Sequence, residues 1–418
     1  MEKTRRAKNL MVIVLFSIFV ASISVAFGND EVFVRAIGGG LGDPNNDRVA
    51  SMAIYNGHLY VGLNNEATGC EVWRTSIIGG QLGTDWIQVN EDGFGDADNT
   101  KIRTLKVFQN KLYAGTRNDN DGCQVWQTGG IGGPPFTDWT QVGGDGFGFP
   151  NNNTRVASMA LYGGELYAGT ANFNRGCQIW KSADGTTWTR VGTQGFGNFI
   201  NAIASWMMNY NGFLFVGTRN NVSGVEMWRT SGAGGPPYTD WTQVNVDGFG
   251  DADNNHASSM AVFNAYLYVG TENQNQGAQV WRTQGADGPP FTDWAQVNVD
   301  GFGSPNNVGA MSMVVSNGKL YAGTWNSTGT GQLWRTTNGI NWSQVPINGF
   351  TGNEIIATMI VGSPFYLGTG NPAGGEVWMQ KELPKVVPVL SGGGVLALVM
   401  TIGVLAILSL RRKRRLPS

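Results

Sequence analysis

One short stretch of this chain occurs seven times, and its spacing limits the possible folds more than any other feature. Its clearest copy runs Leu112, Tyr113, Ala114, Gly115, Thr116, through a polar turn, to Gly122, Cys123, Gln124, Val125 and Trp126. The glycine recurs at Gly62, Gly115, Gly169, Gly217, Gly270, Gly323 and Gly368, and the tryptophan at Trp73, Trp126, Trp180, Trp228, Trp281, Trp334 and Trp378. Each copy is a pair of short apolar runs rich in Tyr, Val and Trp, joined by Asn, Asp and Gly, which is the pattern of a β-hairpin. Copies follow one another at 44 to 54 residues, room for four strands, and repeats of that length build propeller blades.

The two ends of the repeat region fit together. Val32, Phe33, Val34, then Gly40 to Asn46, matches the end of a full unit, Val297, Asn298, Val299, then Gly301 to Asn307. The last unit, Glu354 to Met379, stops after its tryptophan strand. A fourth strand lent by the N-terminus closes the ring and removes the open edge that would invite aggregation. The expectation is all-β: a seven-bladed β-propeller over residues 29–384, closed by an N-terminal strand. In the first unit the strands are expected at Val49 to Tyr55, Leu59 to Leu63, Glu71 to Thr75 and Trp86 to Val89.

Composition agrees, with 62 Gly, 15 Trp and 14% charged residues in 418. A net charge of -2 and no basic groove argue against a nucleic-acid partner. Only His58 and His256 occur, which disfavours histidine-based metal centres and triads. Cys70, Cys123 and Cys177 hold one position in consecutive units; packed sheets lie about 10 Å apart and a disulfide needs Cα atoms within about 7 Å, so three free buried thiols are expected. Met52, Met159, Met207, Met260 and Met313 read as filler between blades.

Both termini read as separate segments. Residues 1–28 carry Arg5, Arg6 and Lys8, an apolar run, and Ser24, Val25, Ala26, the pattern of a signal peptide; an uncleaved anchor is the competing reading. Residues 385–418 hold an apolar run to Leu410 followed by Arg411 to Arg415, read as a C-terminal transmembrane helix whose basic end stays in the cytoplasm. The body is therefore expected outside the cytoplasm, exported and membrane-anchored or displayed at the cell surface.

Within each unit, the turn after the second strand and the crossover to the next unit should emerge on one face, since every strand reverses direction. That face concentrates Asn, Asp and Arg. Glu or Gln stands two residues before every repeat tryptophan, from Glu71 to Glu376, and is expected to bond backbone donors where blades meet. The loops from third to fourth strand, such as Gly133 to Phe136, read as punctuation. Asp96, Asp98, Asn99 and Asp251, Asp253, Asn254 repeat as Asp-x-Asp-Asn; calcium is one reading, and self-capping turns are preferred, so no cofactor is assigned.

Three residues after each repeat glycine comes an asparagine, Asn65 to Asn371, expected to bond its own backbone in a turn. The position before it varies: Asn64, Arg117, Ala171, Arg219, Glu272, Trp325, Gly370. A position that accepts Gly and Trp alike is free for binding, so Arg117, Arg219, Glu272 and Trp325 are the candidate binding residues, Trp325 as a stacking platform for a sugar face. No catalytic or metal residue is assigned. Arg48, Arg103, Arg155 and Arg175 lie on or near the same face and read as scattered over several blades.

Ser182, Ala183, Asp184, Gly185, Thr186, Thr187, Trp188 resembles the Asp-box of sialidase-type (BNR) propellers, and Thr337 to Trp342 is a degenerate copy. In that family the box is a fold-stabilising turn away from the active site, so the resemblance implies a propeller and little about activity. Here the spacing departs by one residue and only two units carry the box. The tail similarly resembles bacterial sorting signals of the IPTL and PEP type, read by membrane proteases, which would make a sorting protease a partner. The functional expectation is a non-enzymatic binding or scaffold module for a glycan or an envelope component such as a surface protein; the alternatives are a sialidase-like glycoside hydrolase and a purely structural envelope protein.

Overall fold

The computed structural model describes residues 31–78, 81–362 and 365–381. The expected signal peptide and the expected transmembrane and sorting tail lie outside the described residues. No helix among the described residues is long and apolar enough to cross a membrane.

The repeat becomes an antiparallel meander. In the first unit the inner strand Asn46–Tyr55 pairs with His58–Asn65, which pairs with Glu71–Ile78, which pairs with the two-residue outer strand Ile87–Gln88. The inner strands start earlier and the outer strand is shorter than expected. Asn56 and Gly57 both take positive φ, 46° and 73°, the two-residue turn whose twist suits a hairpin.

The inner strands Asn46–Tyr55, Lys101–Phe108, Arg155–Tyr162, Ile203–Tyr210, His256–Phe263, Asn307–Ser316 and Ile355–Val361 neighbour one another in that order, and the last neighbours the first. The sheets therefore form a closed, propeller-like ring. Closure uses the chain's own start: Val32–Ile37 runs antiparallel to Val377–Lys381, with Val34 opposite Met379 and Arg35 opposite Trp378. Ahead of that strand, Glu31 Oε1 accepts a hydrogen bond from the Tyr321 hydroxyl at 2.6 Å and pairs with Lys319 and, at 2.8 Å, with Arg335.

What holds each unit to the crossover before it is a buried polar clasp. In the first unit, Asn46 Nδ2 donates to Gly40 O at 2.9 Å and to Glu71 Oε2 at 2.8 Å, while Trp73 Nε1 donates to the same carboxylate at 2.6 Å. Asn65 Nδ2 donates to Asn46 Oδ1, and Asn65 Oδ1 accepts the backbone N–H groups of Ala67 and Thr68. The same contacts from asparagine amide and tryptophan indole to Glu or Gln recur at Asn99, Gln124, Trp126; Asn153, Gln178, Trp180; Asn201, Glu226, Trp228; Asn254, Gln279, Trp281; Asn307, Gln332, Trp334; and Asn353, Glu376, Trp378. This corrects one expectation: the Glu or Gln takes side-chain donors, where backbone donors were expected. Only an acceptor oxygen is needed, which is why both residue types serve. The asparagine after strand two does bond its own turn.

An aromatic stack completes the joint. Phe94, in the crossover, lies parallel to Trp126 of the next unit at 4.8 Å, and Phe147, Phe196, Phe249 and Phe302 repeat this on Trp180, Trp228, Trp281 and Trp334. To reach the indole, Phe94 takes φ +59° beside Gly93 at +56°, a conformation that costs a non-glycine residue energy and that the stacking offsets.

The long loops after strand three also do more than turn. Phe136, Tyr238 and Phe291 are buried, and their backbone N–H groups bond Val89 O, Val191 O and Val244 O of the preceding unit, each at 2.9 Å. In the Asp-box copies, Asp184 Oδ1 accepts from Ser182, Thr186 and Thr187, and Asn338 Oδ1 from Thr336, Ile340 and Asn341. Elsewhere Asp85, Asp138, Asp240 and Asp293 brace the corresponding turn through Thr75, Thr128, Thr230 and Thr283. Cys70, Cys123 and Cys177 are free and buried. Burial pushes their thiols up, that of Cys177 to about 12.

The clasp sets a contrast between two substitutions. Asn201→Ala takes one donor each from the Glu226 carboxylate and Gly195 O, and the Oδ1 acceptor from the Asn220 amide, and should cost about 1–3 kcal/mol, whereas Glu71→Gln keeps the acceptor and should cost less than about 1 kcal/mol. Chemical denaturation measures both; equal losses would remove the clasp from the account.

Candidate functional site

The crossovers and the turns after strand two share one face. Asn118 Nδ2 donates to Asp96 Oδ2, and Asn273 Nδ2 to Asp251 Oδ2, each linking a turn to a crossover. At this face each inner strand begins, and the varying residue at the end of the preceding unit's second strand pairs with it across the ring. Arg117 lies opposite Arg155, Arg219 opposite His256, Glu272 opposite Gly309, Trp325 opposite Ile355 and Gly370 opposite Arg48. The fold uses only the backbone of the varying residue there, so its side chain is free to change.

Two residues further along, every inner strand carries a β-bulge. The register shifts between Val49 and Ser51, Ile102 and Thr104, Val156 and Ser158, Ala204 and Trp206, Ala257 and Ser259, Ala310 and Ser312, and Ile356 and Thr358. A bulge leaves one residue outside the ladder and re-aims its side chain. The residues so released are Ala50, Arg103, Ala157, Ser205, Ser258, Met311 and Ala357, and all of them line one cavity of about 90 Å³ at the middle of the ring. Arg48, Arg155, Arg219, His256, Ile203, Trp206 and Ile355 complete its wall.

Arginines that read as scattered in the sequence thus converge. Burial and the neighbouring guanidiniums of Arg48, Arg155, Arg117 and Arg219 pull Arg103 down to about 9. Burial first, then Arg117, with Arg219 adding to it, brings Arg155 to about 10, although Asp119 opposes. Burial likewise lowers Arg48, against the pull of Asp47, Glu354 and Glu272. Burial is the first cause of all three shifts, and the guanidiniums, which stay charged in proteins, add to it at Arg103 and Arg155.

The four sequence-based candidates divide. Arg219 lines the cavity, with Nε bonded to Asn221 Oδ1 at 3.1 Å and its guanidinium 3.9 Å from Glu272. Glu272 is buried and committed: it bonds His256 Nδ1 at 3.1 Å and Gln274 Nε2 at 3.0 Å. Burial opposes its ionisation, yet the hydrogen bond from His256, the Arg219 charge and Gln274 hold it down to about 2. Arg117 stands outside the cavity wall, its Nε 2.8 Å from Asp119 Oδ2 and its NH1 3.7 Å from Glu66. Trp325 is half-buried and pairs with Ile355 outside the cavity wall. Sequence reasoning missed Ser205 and Ser258 entirely, because nothing in a sequence marks a bulge.

The Asp-x-Asp-Asn loops are self-bonded turns, with Asp96 Oδ1 accepting from Asp98 N and Asp251 Oδ1 from Asp253 N, each at 3.0 Å. Carboxylate oxygens of Asp96, Asp98 and Asp121 also lie within 4.8 Å of one another. In the second copy Gln276 replaces the third carboxylate, and its amide donates to Asp251.

No family model and no curated protein matches this chain. Solved structures do resemble it. The WD40 β-propeller domain of Doa1 superposes with a TM-score of 0.52 at 11% identity, covering 84% of this chain and 98% of that one. The fold is that of a β-propeller. The extracellular domain of the hybrid two-component system BT4673 from B. thetaiotaomicron superposes with a TM-score of 0.50 at 17% identity over 83% of this chain, which spans 39% of that one.

His256 provides a pH test of the cavity. Burial, with Arg219 and Arg103, lowers its pKa, and Glu272 only partly opposes them. The unfolded imidazole takes up its proton near pH 6.5 while the folded one resists, so stability is complete above that pH and falls as the pH drops. Between pH 7 and 5 the melting temperature of the wild type should therefore fall further than that of His256→Gln; parallel curves would show that His256 does not feel this environment.

Proposed function

We propose that this protein is an exported, seven-bladed propeller acting as a non-enzymatic binding module for a glycan or another envelope component. Its binding face is the one that carries the crossovers and surrounds the central cavity. The observation that supports this reading is the imbalance of groups in the cavity wall: arginines and hydroxyls line it, and the one carboxylate bonded to the wall, Glu272, is engaged by His256 and Arg219. Most glycoside hydrolases use two carboxyl groups that flank the scissile bond, and sialidases a tyrosine nucleophile; neither a carboxylate nor a tyrosine is among the described residues that line the cavity. Arginine is a donor with no proton to exchange, suited to holding an acceptor-rich ligand.

Arg117, Arg219 and Trp325 are proposed as rim contacts, with Glu272 as the buried partner of Arg219 and His256 behind them, and Phe173 joins the rim. Its ring is half-exposed, with the Arg155 guanidinium 5.2 Å from its centroid, an aromatic surface of the kind that sugars and planar groups stack on. Export fits the amino-terminal segment, and a membrane anchor or sorting signal fits the carboxy-terminal one. The extracellular propeller-like neighbour is in keeping with that placement.

The test is retention on a glycan array and on a cell-surface extract. Arg117→Ala, Arg219→Ala and Trp325→Ala combined should reduce retention at least tenfold while shifting the melting temperature by only a few degrees. Adding Glu272→Ala should cost stability too, since it leaves the mostly buried His256 ring without its carboxylate partner. Undiminished retention by the triple variant would refute the rim assignment.

A further inference from the structure

We infer that the central cavity holds one oxyanion, a carboxylate, phosphate or sulfate borne by a larger ligand, between Arg48, Arg103 and Arg155, with the Ser205 and Ser258 hydroxyls as further donors. The inference deepens the reading of this face as a binding surface by giving the ligand a charge and the charge a place.

Four observations meet here. First, Arg48, Arg103 and Arg155 form no ion pair among the described residues, while Lys101 and Arg117 pair with Glu66, Arg117 with Asp119, and Arg219 and His256 approach Glu272. Buried charges without partners are costly, and the three that converge in one cavity suit an anion. Second, Ser205 Oγ and Ser258 Oγ are buried without a hydrogen-bond partner, as is Arg155 Nε; the two serines are 7% and 5% exposed and both line the cavity. Buried polar groups are rarely left in that state. Third, Arg103, Ser205 and Ser258 are all bulge residues, released by the same backbone irregularity on three different inner strands. Their side chains are aimed inward by the fold, whereas the remaining bulges carry Ala50, Ala157, Met311 and Ala357, so the polar atoms are confined to part of the ring.

Fourth, the size is restrictive. A cavity of about 90 Å³ has the volume of roughly three waters, far below the several hundred Å³ of a pocket that encloses a whole organic ligand. It admits one substituent and leaves the body of the ligand on the face above. Guanidinium groups only donate, and their planar fork suits carboxylate, phosphate and sulfate oxygens. Glu272 does not occupy the place, because His256 and Gln274 hold its carboxylate.

The test is calorimetric titration of the full chain with sodium sulfate, sodium phosphate and sodium acetate, at constant ionic strength set by chloride. One saturable site is expected for at least one of them; preference for sulfate or phosphate assigns a tetrahedral group, and preference for acetate a carboxylate. Arg103→Gln should weaken that binding about tenfold or more, and Ser205→Ala with Ser258→Ala should weaken it severalfold. Arg190→Gln, on an exposed outer strand, should leave it unchanged. Without added oxyanion, Arg103→Gln should melt no lower than the wild type, and it should lose the rise in melting temperature that the oxyanion gives the wild type. No saturable heat with any of the three anions, or equal binding by Arg103→Gln or by the double serine variant, overturns the inference. Retention on glycans that persists alongside such a result leaves the binding-face reading intact, whereas oxyanion binding without glycan retention supports the cavity and removes that reading.

Discussion

The structure depends on an amide hydrogen bond repeated once per unit. The asparagine that opens each inner strand bonds, with one nitrogen, both the carbonyl of the preceding crossover and the Glu or Gln of its own third strand. Each such bond contributes only about 0.5–1.5 kcal/mol net, but its loss strands buried partners on two elements at once. That asymmetry makes the clasp a device for specificity. Any other path of the crossover would take the asparagine amide from both the crossover carbonyl and the Glu or Gln. The indole N–H takes the same acceptor, and the crossover phenylalanine covers the indole, so one joint sets the angle between successive blades.

The angle, repeated and then closed by Val32–Ile37, fixes the inner strands around a common axis. A closed ring of strands leaves little space at its centre, and the bulges determine what fills it. Four of those positions are alanine or methionine; Arg103, Ser205 and Ser258 carry the polar chemistry. A scaffold made of near-identical units thereby acquires an asymmetric centre without any change in its joints. The WD40 β-propeller domain of Doa1 resembles this fold at only 11% identity.

Much of the ring was legible in the sequence, because its causes are local and periodic. Repeat spacing set the units, and the likeness of Val32 to Asn46 to a later unit predicted the closing strand. The partners of Glu71 and its equivalents were misread because their donors, Asn46 and Trp73, lie on two different elements whose meeting is tertiary. Arg48, Arg103 and Arg155 looked dispersed for the same reason: residues some fifty apart in the chain meet only once the ring curves. Ser205 and Ser258 left no trace, since a bulge arises from strand twist and pairing and has no residue signature of its own. Conversely, Glu272 reads as a free rim residue, and only the folded chain shows His256 beside it.

The central claim is that the two ends of the body pair to close the ring. It is tested most directly by Val34→Cys with Met379→Cys, residues that face each other across the closing pair. Oxidation followed by proteolysis and mass spectrometry should reveal one intramolecular disulfide between these positions in a monomer, while Cys70, Cys123 and Cys177 stay reduced. Tying together distant ends should also raise the melting temperature. Disulfides formed only between molecules, or none at all, would contradict the closed ring and with it the cavity at its centre.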